Sequence, residues 1–160
     1  MRLHKRILPL LSVALVSAIP VFAQVEKAAM KTTGISCGTC AAVSEIYLRQ
    51  LSGIDKINIS LSKEAIMVSY KPGAAFQPKA IRDALKKTDV GVVTLQISAR
   101  GRIQDQAGKR IFVAGNDKFA LQSSPESLRL PLNTPILVEG VLNDQVEPME
   151  LKVMTFQATK

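Results

Sequence analysis

Residues 24–98 change hydrophobic period in the order strand, helix, strand, strand, helix, strand, whereas residues 99–160 keep only the strand period. The sequence therefore predicts an α+β chain. Two helices over one face of a small antiparallel sheet make a ferredoxin-like βαββαβ sandwich. Five short strands with a long third connection then suggest a small all-β part, an OB-like barrel or a fragment of a sandwich. A third observation concerns the start of the chain. Arg2, Lys5 and Arg6 precede an apolar stretch, Ile7–Ile19, and Val21-Phe22-Ala23 puts small residues where a peptidase cuts. The expected organisation is an export signal at 1–23, the sandwich at 24–98 and the β part at 99–160.

The elements follow in order. Val25–Thr33 suits a strand and ends at Gly34. Ala41, Ser44, Tyr47, Leu48 and Leu51 recur at helical steps, giving a helix with one buried face, and Gly53 lies beyond its end. Lys56–Leu61 and Ile66–Tyr70 alternate as two strands of a hairpin around Ser62-Lys63-Glu64. Pro78 suits a first helical turn, and Ile81, Ala84, Leu85 and Thr88 form that helix's inner face. After Asp89-Val90-Gly91 comes a β-branched strand, Val92–Ile97. The remaining strands are expected at Arg100–Ile103, Arg110–Ala114, Lys118–Gln122, Ile136–Leu142 and Met149–Phe156, separated by Gly108, Gly115-Asn116-Asp117 and Asn143-Asp144. Phe112, Phe119 and Phe156 read as core, as do Met30, Met67, Met149 and Met154.

Charge and composition narrow the function classes. The formal charge is +8, and it falls to +5 when Arg2, Lys5 and Arg6 leave with the signal. The sole histidine, His4, leaves too, so the mature chain has no imidazole for triad chemistry. No paired carboxylates and no glycine-rich phosphate loop occur. The chain is expected not to be an enzyme, and not to bind nucleic acid. The apolar stretch, about 13 residues, is shorter than the roughly 20 that span a bilayer. A periplasmic or secreted location is expected, in preference to a membrane-anchored one.

The chemistry concentrates in Gly34-Ile35-Ser36-Cys37-Gly38-Thr39-Cys40, which holds both cysteines of the chain. A helix start supplies unpaired N–H groups and the positive end of the dipole, which lower thiol pKa values and favour thiolate. Thiolate binds soft metals and attacks disulfides. Two thiolates without histidine suit near-linear Cu(I) or Hg(II), while Zn(II) needs further ligands for its four positions.

This segment and its offsets resemble the heavy-metal-associated domain of copper chaperones, of metal-transporting ATPases and of periplasmic mercury-binding proteins. The family pattern Gly-Met-x-Cys-x-x-Cys stands here as Gly34-Ile35-Ser36-Cys37-Gly38-Thr39-Cys40, followed by matching positions at Leu48, Leu51, Gly53-Ile54, Val68, Tyr70, Ile81 and Leu85. The resemblance covers about residues 26–98. It implies metal ligation by Cys37 and Cys40, with Cu(I) first and Hg(II) or Zn(II) after it. It further implies ligand exchange with a metal-donor or metal-acceptor protein, a membrane transporter among them. Ile35 replaces the family's usual Met, which packs beneath the loop. Asp89-Val90 stand where the family commonly places Gly and an aromatic residue or a tuning lysine; Lys86 or Lys87 could approach the thiolates instead, which the sequence leaves open. The rival readings are a thiol–disulfide redox protein and a metal-responsive adaptor acting through residues 99–160.

Overall fold

The structure, a computed structural model, describes residues 23–122 and 129–159. The expected export signal, apart from Ala23, lies outside the described residues. The first half follows the predicted order: β1 (Gln24–Thr33), α1 (Gly38–Arg49), β2 (Ile54–Ser60), β3 (Ala65–Tyr70), α2 (Pro78–Lys86) and β4 (Gly91–Gln106). β5 (Lys109–Ala114), β6 (Asp117–Leu121), β7 (Ile136–Asn143) and β8 (Glu150–Ala158) complete the chain. The sheet begins β2-β3-β1-β4, all antiparallel, which is the ferredoxin-like arrangement. Ser44 and Leu48 of α1 and Ile81, Ala84 and Leu85 of α2 are buried against it.

Beyond β4 the order is β5-β6-β8-β7, and β7 pairs back onto β4, so these five strands close into a ring. β6 and β8 run parallel; the other pairs in the ring are antiparallel.

The strands expected at Val92–Ile97 and Arg100–Ile103 are one strand of 16 residues. Ser98 and Ala99 carry no turn chemistry, and the inward positions Leu95, Ile97, Ala99 and Ile103 stay in phase across them. The expected boundary between residues 98 and 99 thus falls inside β4. One edge of β4 pairs with β1 and then, end to end, with β5. The other pairs with β7 from Leu95 to Gly101. Gly101 sits where a Cβ would run into the carbonyl oxygen of Val113, so this crowded point of the strand needs glycine.

The core is continuous through both halves. A chain of aromatic rings marks the join: Tyr70 of β3 meets Phe76 at 5.8 Å, Phe76 meets Phe119 of β6 at 6.2 Å, and Phe119 meets Phe112 of β5 at 6.4 Å. Phe112 and Phe119 are fully buried and Phe156 half-buried, as core residues should be. A second join is polar. Arg82 of α2 donates to both carboxylate oxygens of Asp144 in the β7–β8 connection, at 2.6 and 2.7 Å, and to the carbonyl of Val92 at 2.9 Å. Met30 is buried and Met149 half-buried, but Met67 and Met154 are 40% and 50% exposed. Met67 is out of phase with its buried neighbours Ile66 and Val68, so alternation turns it to solvent.

Candidate metal centre

β1 delivers the chain to Gly34, whose φ of +87° is left-handed. Glycine is needed there twice over, because a Cβ would also lie 2.5 Å from the carbonyl oxygen of Asp89. The Asp89-Val90 loop therefore packs directly on the cysteine loop. Ile35 is fully buried and anchors that loop from below, filling the place the resemblance assigns to Met. With Ile35 turned inward, Ser36 and Cys37 are left exposed.

Cys37 is the N-cap of α1, with extended backbone angles (φ −135°, ψ 154°). Its sulfur accepts the backbone N–H of Cys40 at 3.0 Å, while its carbonyl accepts the N–H of Ala41 at 3.0 Å. A cysteine thus performs the capping usually done by serine or aspartate. Cys40 follows in the first turn, half-buried, with its Cα 5.2 Å from that of Cys37. The two sulfurs are joined as a disulfide. The first turn of α1 contains no acidic residue, so no carboxylate there opposes a negative sulfur. Among the described residues no group of three or more His, Cys, Asp and Glu comes together as a metal site.

The surrounding layer ties α1 to the end of α2. Ser44, fully buried one turn beyond Cys40, lies 2.9 Å from the Thr88 hydroxyl. Thr88 donates its own proton to the carbonyl of Leu85 at 2.8 Å, so the Ser44 hydroxyl is the donor between them. Both residues were placed on inner helix faces by periodicity; their mutual hydrogen bond was not predicted. The place of Lys87, left open by the sequence, is set by Tyr47. Its ammonium stands 5.1 Å from the centre of the Tyr47 ring, two turns along α1 from Cys40, and is held there by cation–π attraction.

No protein-family model matches the chain. Among curated proteins, Copper-transporting ATPase 2 of Homo sapiens is 27% identical in an alignment of 98 positions that covers 56% of this chain and 7% of that protein. The chain thus spans less than a tenth of the relative it matches. Among solved structures, the CopZ metallochaperone is 22% identical and covers 42% of this chain and 98% of its own, at a TM-score of 0.39. The N-terminal domain of a potential copper-translocating P-type ATPase from Bacillus subtilis, in the Cu(I)-loaded state, is 25% identical over 43% of this chain and 85% of its own, also at 0.39. The N-terminal domain of ZntA in the apo form gives 22%, 43%, 90% and 0.39. The chain is similar, over its N-terminal part, to heavy-metal-associated domains of copper chaperones and ATPase N-termini.

Proposed function

We propose that the chain captures a soft metal ion, Cu(I) foremost, between Cys37 and Cys40 and hands it to a partner protein. The observation that carries this reading is the cysteine pair at the start of α1. Cys37 caps the helix through its sulfur, Cys40 sits one turn in, and no acid shares the turn. Backbone N–H donation to the Cys37 sulfur, and the dipole of the helix that both cysteines open, favour negative sulfur once the pair is reduced. Thiolates select Cu(I) over harder ions, and two of them complete a near-linear site. Hg(II) fits the same geometry, and Zn(II) requires ligands from solvent or partner. The exposure of Cys37 leaves an approach for a partner's ligand, so the ion can pass by exchange without being released. The similarity to a copper-transporting ATPase supports copper as cargo and a transporter as one such partner.

From the disulfide, capture begins with two electrons and two protons reducing the pair to thiols, which then lose their protons to the solvent as the metal binds. Export to the periplasm or beyond, with cleavage near Ala23, requires that reductant to be present there or the metal to arrive first. The same disulfide is the observation favouring the second reading, thiol–disulfide exchange with a protein substrate. We read the ring of β4, β5, β6, β8 and β7 as an OB-like barrel, a reading supported by its cyclic order and its single parallel pair.

The test is titration of the reduced full chain, followed by native mass spectrometry. One Cu(I) per chain is expected, and none in the Cys37→Ser/Cys40→Ser variant. Unchanged binding in that variant overturns the proposal. Turnover of a model disulfide substrate, with no tight Cu(I) binding, moves the assignment to redox exchange.

A further inference from the structure

The outward side of β4, β5 and β6 carries cations, amides and aliphatic side chains. Register places Arg102, Val113 and Lys118 in one row across the three strands, and Gln104, Ile111 and Ala120 in the next. Gln106 and Lys109 close the row nearest the β4–β5 turn. Val113 and Ile111 are half-buried, and Arg102, Lys109 and Lys118 are exposed. None of these three cations has an ion-pair partner among the described residues. The outward positions of the three strands hold no carboxylate. Of the acids bordering this face, Glu26 is paired with Arg100 on the β1 side and Glu150 accepts from the amides of Gln122 and Asn143 on the β8 side, while Asp105 and Asp117 stand on the opposite phase of β4 and β6. At the Arg102 end the face runs into an open groove of about 490 Å³, lined by Arg100, Arg102, Gln104, Val113, Pro135 and Ala23 among others. That volume is ample for one or two apolar side chains.

We infer that this face is a docking surface for an acidic polypeptide segment carrying an apolar anchor residue. Carboxylates of the segment lie against Arg102, Lys118 and Lys109, none of which is ion-paired with an acid among the described residues. The anchor enters the groove beside Val113 and Pro135. Desolvated apolar contact supplies the holding, and the cations supply orientation and encounter rate. A nucleic acid fits the same charge less well, because single strands need aromatic side chains to stack on. Here Phe112 and Phe119 are fully buried, and no aromatic residue occupies an outward position of these strands. The inference does not rest on metal capture: the face is built from strands on the ring, and the cysteines lie beyond the opposite end of β4.

The experiment uses the full chain, 15N-labelled, titrated with a fluorescein-labelled glutamate-rich peptide containing a pair of leucines. Amide shifts confined to β4, β5, β6 and the chain beside Ala23 and Pro135 at the groove are expected. Affinity should fall about tenfold when salt rises from about 0.05 to 0.3 M, and about tenfold again in Arg102→Glu/Lys118→Glu. Replacing the leucines by serine should weaken the peptide further. The Cys37→Ser/Cys40→Ser chain should bind the peptide as the parent does, which separates this result from any failure of metal capture. Absence of binding, binding indifferent to the charge reversal, or tighter binding of an oligothymidylate overturns the inference.

Discussion

Replacing Asp144 by asparagine should cost about 2–3 kcal/mol of folding stability. The Asp144 side chain is 2% exposed and takes two hydrogen bonds from one guanidinium, at 2.6 and 2.7 Å. Removing one partner of a buried ion pair costs ~3–5 kcal/mol, because the other charge is stranded. Arg82 keeps 27% exposure and its bond to the Val92 carbonyl, so it recovers part of its hydration and the lower figure applies. At about 3 °C per kcal/mol for a chain of this size, the melting temperature should drop by about 6–9 °C. The pH dependence has a definite sign. Burial acts to raise the Asp144 carboxyl, but hydrogen bonding and charge from Arg82 prevail, and the group ends below its ordinary value of 3.8. A carboxyl depressed in the folded state stabilises fully above its unfolded value, and that stabilisation is lost as pH falls through the folded one. Asparagine, having no such group, should flatten the acid side of the stability curve below about pH 4. Urea melts followed by circular dichroism from neutral pH to about pH 3 give both quantities, and Arg82→Gln with the double variant completes a thermodynamic cycle. A loss under about 0.5 kcal/mol, or strictly additive single changes, would refute the reasoning.

Three other changes test the remaining joints. Gly34→Ala should cost about 2 kcal/mol or more, since it combines a left-handed backbone with a Cβ 2.5 Å from the Asp89 carbonyl; denaturant midpoints measure it, and amide shifts should reach Asp89 and Val90. Phe119→Ala should cost about 3–5 kcal/mol. Because its ring links Phe76 to Phe112, hydrogen exchange should quicken in β3 as well as in β5, and acceleration confined to β5 and β6 would contradict a shared core. Ser44→Ala should cost about 1 kcal/mol by removing the donor to Thr88, visible as a lowered midpoint with the Thr88–Leu85 bond intact.

Much of this architecture is written in local pattern. The periodic faces of α1 and α2, the hairpin turn at Ser62–Glu64 and the alternating runs from Arg110 onward all settle within a few residues of each other, and all were readable. The place of the CxxC pair at a helix start was readable for the same reason, since it depends on one loop and one helical turn, but the capping of α1 by the Cys37 sulfur was not. What could not be read depends on distance along the chain. The Arg82–Asp144 pair joins residues 62 apart, and the Tyr70–Phe76–Phe119 contacts depend on how β6 is carried back over β3. Nothing in either sequence neighbourhood announces its partner. The fusion at residues 98–99 was missed because the loss of helical periodicity there reads as a boundary, whereas the strand period itself runs unbroken through Ser98 and Ala99. The position of Lys87 was open for a similar reason: several targets lay within reach, and the face of Tyr47 took it.

The pairing of β7 along β4 has a consequence for traffic around the cysteines. In an isolated βαββαβ unit both outer strands offer bare edges. Here β4 is covered on its far side from Leu95 to Gly101, and among the described residues β2 alone retains an unpaired long edge. Among the described residues, a visitor that adds a strand to the sheet has one long berth, beside Ile54–Ser60, on the opposite flank from the ring. A fragment ending at residue 98 would reopen the second berth and invite pairings that the whole chain forbids. Binding studies on such a fragment would then count contacts that the intact protein never makes.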